Sequence, residues 1–273
     1  MSSIVIHKIS DATGQTLDVV ARACLAQFPK VKVIEKRHTM VRNKQHISKA
    51  LEMISSNPGF VIFTVVDDEL TEQLVLGCKK LQVPYIDLLN PVLSQLGNYV
   101  GMDRDSRPGS QHVMDADYFS KIEALHYVLA HDEGQSLSNL NEADIVLVGV
   151  SRTTKTPTSI YMANRGYKTA NVPYVPGINL PNELLNADRP LIIGITKDPK
   201  RLVQIRLHRL EMQGHTEATD YTDLKAVNQE IKEAVSVFQK HNWPLVDVTR
   251  KSVEETADTI LQMYNNRLDG GLA

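Results

Sequence analysis

Residues 145–157, which read IVLVGVSRTTKTP, are the stretch that decides the fold of this chain. Four aliphatic residues predict a buried strand, a short polar loop follows, and Pro157 suits the first turn of a helix. The loop from Gly149 to Thr156 approximates the phosphate-binding signature G-x-x-x-x-G-K-[ST], with Thr154 in place of the second glycine. A strand, such a loop and a helix in this order indicate an α/β protein that binds phosphate groups.

The residue types in this loop have specific chemical uses. Lys155 would place a positive charge on the phosphates, and Thr156 would offer its hydroxyl to Mg²⁺. Thr154 counts against the signature because its side chain crowds the tight part of the loop, and an ordinary strand-to-helix turn is the alternative. Successive backbone N–H groups would form a nest for phosphate oxygens. The residues that would supply this nest are Gly149, Val150, Ser151, Arg152, Thr153, Thr154, Lys155 and Thr156.

Strands and helices alternate along the rest of the chain, and residues 4–28 repeat the order of strand, small-residue loop and helix. Further strands are predicted at 31–34, 60–66, 84–88, 168–172, 191–196 and 245–248. Helices are predicted at 17–28, 45–56, 69–81, 90–97, 115–130, 158–164, 199–213, 222–241 and 252–266. This alternation predicts parallel sheets with crossover helices.

We therefore predict an α/β fold with two sheet units. An N-terminal open parallel sheet unit spans residues 1–105, and a linker with a connecting helix spans residues 106–140. A phosphate-loop (P-loop) kinase-like α/β domain spans residues 141–273 and carries the nucleotide site.

The composition limits the classes of partner. With 30 basic and 32 acidic residues the net charge is −2, so no overall field favours nucleic acid or acidic lipid. No apolar stretch approaches the roughly 20 residues that a membrane-spanning helix needs, and the N-terminus lacks a signal-peptide pattern. We expect a cytoplasmic protein without a nucleic-acid or membrane partner, and a homo-oligomer is compatible with the sequence. Cys24 and Cys78, which lie in predicted amphipathic helices, are expected as buried structural thiols.

Candidates for proton transfer lie outside the loop. Asp11 follows a predicted strand, at the place where open α/β sheets bind ligands, and His131 with Asp132 ends a predicted helix. Both positions have structural alternatives, since Asp11 fits the start of a helix and His131 fits a helix C-terminus.

Three arginines are candidates for secondary phosphate contacts. Arg206 and Arg209 are three residues apart and share one face of a predicted helix, and Arg152 lies in the loop itself. A solvated basic face that pairs with nearby acidic residues is the alternative for the helical pair.

Several motifs resemble those of the bifunctional regulatory proteins of pyruvate, phosphate dikinase. The most specific is the loop with its trailing proline, residues 148–157 (VGVSRTTKTP). The others keep their order along essentially the whole chain: residues 10–16 (SDATGQT), 117–119 (DYF), 122–124 (IEA), 131–134 (HDEG), 171–173 (NVP) and 253–257 (VEETA). Glu133 departs from the family pattern, in which an aspartate is expected.

The resemblance implies a protein serine/threonine kinase that uses ADP to phosphorylate a threonine of the dikinase and so inactivates it. It also implies removal of that phosphate with inorganic phosphate as co-substrate, which yields pyrophosphate. A sister branch performs this chemistry on phosphoenolpyruvate synthase. On this reading Lys155 and the loop hold the phosphates, Thr156 holds Mg²⁺, and Asp11 or the pair His131–Asp132 is the base. A small-molecule P-loop kinase and a nucleotide-sensing switch remain the alternatives.

Overall fold

A computed structural model describes residues 3–103, 116–213 and 220–270. The chain divides into two compact units, Met1–Val113 and Met114–Ala273. We describe each unit by itself.

The first unit is a parallel sheet in the order β2-β1-β3-β4, with helices on both faces. Ile9 and Phe63 face α2 and α3, whereas Ile6 and Ile62 face α1. Its elements are β1 (Ser3–Ser10), α1 (Gln15–Leu25), β2 (Lys32–His38), α2 (Lys44–Ser56), β3 (Phe60–Thr64), α3 (Asp68–Lys80), β4 (Tyr85–Asp87) and α4 (Asn90–Val100).

The second unit repeats this topology with the sheet order β6-β5-β7-β8. Val146 and Val148 face α8 and α9, whereas Ile145 and Leu147 face α6 and α10. Its elements are α5 (Ala116–Ala130), β5 (Ile145–Gly149), α6 (Lys155–Ala163), β6 (Thr169–Pro173), α7 (Asn182–Leu185), β7 (Leu191–Thr196), α8 (Pro199–Met212), α9 (Leu224–Lys240), β8 (Leu245–Asp247) and α10 (Val253–Leu268). Two short 3-10 turns, Asp132–Gly134 and Leu137–Glu142, join α5 to β5.

Side-chain caps explain where most of the longer helices begin. A carboxylate or amide accepts a hydrogen bond from the backbone N–H three residues later at Asn43, Asp67, Asp198 and Asp223. Such caps satisfy N–H groups that the first helical turn leaves free. At α10, Ser252 and Glu255 cap one another reciprocally.

The structure confirms the predicted α/β class with two parallel sheets. The division of the chain differs from the prediction, because α5 had been assigned to a linker and belongs to the second unit. Ala124 and Val128 of α5 pack against Ala163 of α6, and this burial holds the helix to the sheet. Residues 106–115 of the predicted linker lie outside the described residues. Within the residues that the structure describes, no helix is both long and apolar enough to cross a membrane.

The two cysteines have different environments. Cys78 is buried against the sheet, and burial raises the pKa of its thiol to about 11, so the predicted structural role is confirmed. Cys24 is exposed, and the prediction was wrong for this residue because Cys24 lies on a side of α1 that no other described element covers.

Candidate phosphate-binding site

The candidate phosphate loop leaves β5 at its carboxyl end, beside the neighbouring strand β7. Gly149 pairs with Ile195 in the sheet, and a Cβ atom added at Gly149 would lie only 2.7 Å from the Ile195 carbonyl oxygen. It would also lie 3.2 Å from the Thr153 hydroxyl. Only glycine fits here, because the strand and the returning loop approach too closely for a side chain.

The loop turns through two residues with left-handed backbone conformation, Arg152 (φ 71°) and Thr154 (φ 64°). Thr154 occupies the position of the second signature glycine and directly precedes α6. A β-branched residue is disfavoured in this conformation, so the loop holds Thr154 at an energetic cost. Thr153 compensates in part, since its buried hydroxyl donates to the Val150 carbonyl oxygen at 2.8 Å.

Lys155 is the first residue of α6 and is almost fully buried. Its ammonium group donates to the carbonyl oxygens of Gly149 (2.7 Å) and Val150 (3.0 Å), so it lies within the curve of its own loop. Burial lowers the pKa of Lys155 to about 8, and the carboxylates of Glu133 and Asp132 oppose this shift. The lysine is therefore held where a phosphate in the loop would meet it.

Thr156, the next residue, is held by a carboxylate and an amide from two other segments. Its hydroxyl lies 2.9 Å and 3.2 Å from the two carboxylate oxygens of Asp132. The Asn171 side-chain amide, on β6, donates both to Asp132 and to the Thr156 hydroxyl, the latter at 3.0 Å. Asn171 is buried, and its Oδ1 atom has no hydrogen-bond partner among the described residues.

This group of oxygens suits the predicted Mg²⁺. The ion prefers oxygen ligands, and in phosphate-loop proteins it is bound by a hydroxyl, a carboxylate and the phosphates of the substrate. Thr156 and Asp132 would supply the hydroxyl and the carboxylate, and the Asn171 amide, which donates to both, would hold them in place. Within the described ranges, no three His, Cys, Asp or Glu side chains form a cluster that could hold a metal alone. A metal here would thus depend on the bound phosphates.

Arg206, which lies on α8, contacts the loop. Its guanidinium is 1% exposed and pairs with both carboxylate oxygens of Glu230 on α9, at 2.7 and 2.9 Å. It also donates to the Ser151 carbonyl oxygen of the loop at 3.2 Å and stacks over the Tyr221 ring. This arrangement differs from the predicted phosphate contact, because both terminal nitrogens of Arg206 already donate inside the protein. Its Nε atom is buried and has no hydrogen-bond partner among the described residues. Arg209, on the same helix, and Arg152, in the loop, are both exposed.

His131 is also placed differently from its predicted catalytic role. Its Nδ1 atom donates to the Tyr127 carbonyl oxygen at 2.8 Å, and its Nε2 atom lies 2.7 Å from Oδ1 of Asn139. The ring is buried and stacks on Tyr127 with centroids 3.7 Å apart. Both nitrogens are occupied, so this geometry suits a structural role that fixes the turn carrying Asp132.

Asp11 lies in the first unit, directly after β1. Its carboxylate accepts a hydrogen bond from the Val66 N–H at 2.8 Å, which ties the loop after β1 to the loop after β3. Burial raises the pKa of Asp11 above its usual value. The loop carrying Lys155 belongs to the second unit.

Three residues of this site were not predicted to have a role. They are Asn171, Glu133 and Glu230. An Asn in a strand otherwise made of buried residues was a usable signal for the first. No sequence signal links Glu230 to Arg206, because 24 residues separate them.

With the loop, its lysine and its threonine at the carboxyl end of β5, the second unit has the architecture of an α/β kinase-like domain. Among known families, the kinase/pyrophosphorylase family model matches residues 6–261, which is nearly the whole chain. The chain belongs to this kinase/pyrophosphorylase family, and membership supports a phosphotransferase activity.

Relatives cover nearly the whole chain. A protein from Paramagnetospirillum magneticum is 44% identical over 98% of this chain and 86% of its own length. A protein from Sinorhizobium fredii is 46% identical over 94% of this chain and 95% of its own length. Both are similar to this chain throughout. So is a protein from Caulobacter vibrioides (47%, 97% and 83%). Each carries the provisional name pyruvate, phosphate dikinase regulatory protein. A solved periplasmic solute-binding protein from Actinobacillus succinogenes covers 99% of this chain and 93% of its own, but with 11% identity and a TM-score of 0.26 the likeness carries no argument.

Proposed function

We propose that this protein is a bifunctional regulator of pyruvate, phosphate dikinase. It uses ADP to phosphorylate a threonine of the dikinase and inorganic phosphate to remove that phosphate. The observation that carries the proposal is Lys155, buried within the loop beside a Thr156 hydroxyl that Asp132 holds. The family and the names of its members supply the target.

In the kinase direction the bond between the β-phosphorus of ADP and its bridging oxygen breaks, and AMP leaves. The threonine oxygen forms the new bond to phosphorus, and its proton passes to a base. Lys155 would exchange its carbonyl partners for phosphate oxygens and stabilise the charge that spreads over them. Bound Mg²⁺ would neutralise phosphate charge. Thr156, Asp132 and Asn171 would orient that ion.

The proton acceptor is best sought among the carboxylates near Lys155. Asp132 is bonded to Thr156 and Asn171, which suits orientation of the metal. Glu133 is exposed, and its charge acts on Lys155 more strongly than that of Asp132. We assign proton transfer to Glu133 and orientation to Asp132, in place of His131, whose nitrogens are occupied.

The reverse direction uses the same groups. An oxygen of inorganic phosphate attacks the phosphorus of the phosphothreonine, the bond from phosphorus to the threonine oxygen breaks, and pyrophosphate forms. The threonine oxygen recovers its proton from the acid form of Glu133. Two anions must approach one another in this step, so a buried cation such as Lys155 contributes most where charge accumulates.

A labelling experiment tests the proposal. The dikinase, phosphorylated on its catalytic histidine, is incubated with the protein and ADP labelled on the β-phosphate. We expect label on threonine, and its release as pyrophosphate when phosphate is added. The folded variant Lys155→Met should lose both reactions by at least about 100-fold. Lys232→Met, at an exposed lysine on α9, is the matched control.

Three outcomes would change the proposal. Full activity of the folded Lys155→Met variant would show that the phosphate site does not lie in this loop. Labelling from ATP alone would overturn the assignment of ADP as donor. Labelling of phosphoenolpyruvate synthase but not of the dikinase would move the target to that enzyme.

A further inference from the structure

Lys197, directly after β7, is a buried lysine without a partner. It is 6% exposed, and within the described ranges its ammonium group donates no hydrogen bond and forms no ion pair. Two other buried lysines have acceptors, since Lys8 pairs with two carboxylates and Lys155 donates to two carbonyl oxygens. An ammonium group that is buried without an acceptor costs free energy. Lys197 is therefore suited to an acceptor that a ligand supplies.

Lys197 lies at the same edge of the sheet as the phosphate loop. Gly149, where the loop begins, pairs with Ile195 of the neighbouring strand β7, and Lys197 is two residues further along. Neighbouring strands lie about 5 Å apart. Ligands of open α/β sheets bind outside the carboxyl ends of the strands. The loop and Lys197 thus border the same ligand-binding edge from adjacent strands.

Helix α8, which begins two residues after Lys197, carries two more cations in its first turn. These are Lys200 and Arg201, both exposed, and this turn holds no acidic residue. Cations are unfavourable at a helix N-terminus, because its unpaired N–H groups already give it a partial positive charge. A bound anion would offset both the helix dipole and the cations, and phosphate groups bind at such helix ends.

The nearby carboxylates do not neutralise these cations. Asp198 caps α8 by accepting a hydrogen bond from the Arg201 N–H at 2.9 Å. Asp247, at the end of β8, accepts one from the Thr249 N–H at 2.8 Å. Burial and then the charge of Arg201 lower the pKa of Lys197, and the charge of Asp247 opposes this shift less strongly. The surroundings of the Lys197 ammonium group therefore favour an anion.

Both reactions of the proposed function place two phosphate groups side by side. In the kinase direction the β-phosphoryl group of ADP is transferred, and the bridging oxygen leaves with the α-phosphate as AMP. In the reverse direction an oxygen of inorganic phosphate attacks the phosphothreonine phosphorus and becomes the bridging oxygen of pyrophosphate. Lys155 and the loop would hold the transferred group. The second phosphate, which is the leaving group in one direction and the nucleophile in the other, needs a cation of its own.

We propose that Lys197 and the first turn of α8 form the subsite for this second phosphate. The subsite holds the α-phosphate of ADP in the kinase direction and inorganic phosphate in the reverse direction. The identity of these ligands rests on the proposed function, whereas the subsite itself rests on the buried lysine and the helix end. Lys197 donates its unused N–H groups to the phosphate oxygens, and Lys200 and Arg201 add positive charge from the surface. No covalent bond to these residues forms or breaks.

Binding of pyrophosphate, which spans both phosphate positions, tests the subsite without the dikinase. Isothermal titration calorimetry on the full chain with Mg²⁺ measures this affinity. Lys197→Met should weaken it by about 10- to 100-fold, as the loss of a hydrogen bond to a charged group does. Lys155→Met should also weaken it, whereas Lys232→Met, at an exposed lysine on α9, should leave it unchanged.

The labelling assay separates the two sources of the second phosphate. Lys197→Met should raise the KM for ADP in the kinase direction and the KM for inorganic phosphate in the reverse direction, each by about 10- to 100-fold. A rise in only one of the two would overturn the shared subsite. Thermal unfolding followed by the fluorescence of Trp243 checks the fold. Because Lys197 has no partner in the described protein, its replacement by methionine should leave Tm unchanged or raise it.

An unchanged pyrophosphate affinity of the Lys197→Met variant would overturn the proposal. So would a loss of affinity accompanied by a lower Tm, because Lys197 would then have a structural role. The wild-type chain could label no dikinase and still bind pyrophosphate in a way that depends on Lys155 and Lys197. In that case the proposed function fails and the two-phosphate site stands.

Discussion

Replacing Arg206 with methionine removes a buried charge that serves both the fold and the loop. Glu230, whose side chain is 16% exposed, would keep its charge without a partner. Removal of one partner from a buried ion pair costs about 3–5 kcal/mol. Because water reaches Glu230 in part, we expect a loss near the lower value, about 3 kcal/mol. For a unit of this size that lowers the melting temperature by about 6–12 °C.

The chain offers a direct assay for this change. Trp243 is the only tryptophan, and its ring lies 6.1 Å from Phe238 in the second-unit core. Its fluorescence during urea denaturation therefore reports unfolding of that unit. The double variant Arg206→Met with Glu230→Met should recover most of the loss, because two apolar side chains replace the pair.

The control is Arg209→Met, at an exposed position on the same helix, for which we expect a change within about 0.5 kcal/mol. The reasoning fails if Arg206→Met costs less than about 1 kcal/mol, as a surface ion pair would. It also fails if the double variant is as unstable as the single one, since the cost would then lie outside the pair.

Three other substitutions test separate features. Gly149→Ala would bring a methyl group to 2.7 Å from the Ile195 carbonyl oxygen and should cost about 1–3 kcal/mol in tryptophan-monitored denaturation. Thr154→Gly removes the cost of a left-handed threonine and should stabilise the same unit by about 0.5–1 kcal/mol; a loss would show that the threonine side chain matters more. His38 has its pKa lowered to about 4, mainly by burial, below the unfolded value near 6.5. The free energy of unfolding should therefore fall by about 1–3 kcal/mol as the pH drops from 6.5 toward 4. Denaturation followed by circular dichroism measures this change, and the variant His38→Gln should show a weaker dependence on pH.

Local sequence patterns were sufficient to predict most of the architecture. Aliphatic runs such as residues 145–148 and the alternation of strands and helices determined both parallel sheets. The reciprocal cap of Ser252 and Glu255 follows from their spacing of three residues at the start of α10. These features depend on residues close together in the chain, which is why the sequence was enough. The short α7 and the two 3-10 turns were not predicted, because so few residues show no periodicity.

The site was predicted less completely, because its contacts join distant segments. The loop and Lys155 follow from a local signature, whereas the contact of Thr156 with Asp132 and Asn171 spans residues 132 to 171. Arg206 was predicted as a secondary phosphate contact, with a solvated basic face as the alternative, because basic residues are usually exposed. Only the fold shows that Glu230 lies opposite it and permits its burial.

The carbonyl partners of Lys155 have a consequence for how a ligand enters the loop. If the loop binds phosphate as proposed, the phosphate would replace two backbone oxygens as partners of the ammonium group. Near pH 8 about half of the molecules would carry this lysine as a neutral amine, since its pKa is about 8. A bound phosphate favours the ammonium form, so ligand entry at that pH draws a proton from the buffer. Affinity should then decline as the pH rises above 8, and the heat of binding should depend on which buffer gives up the proton.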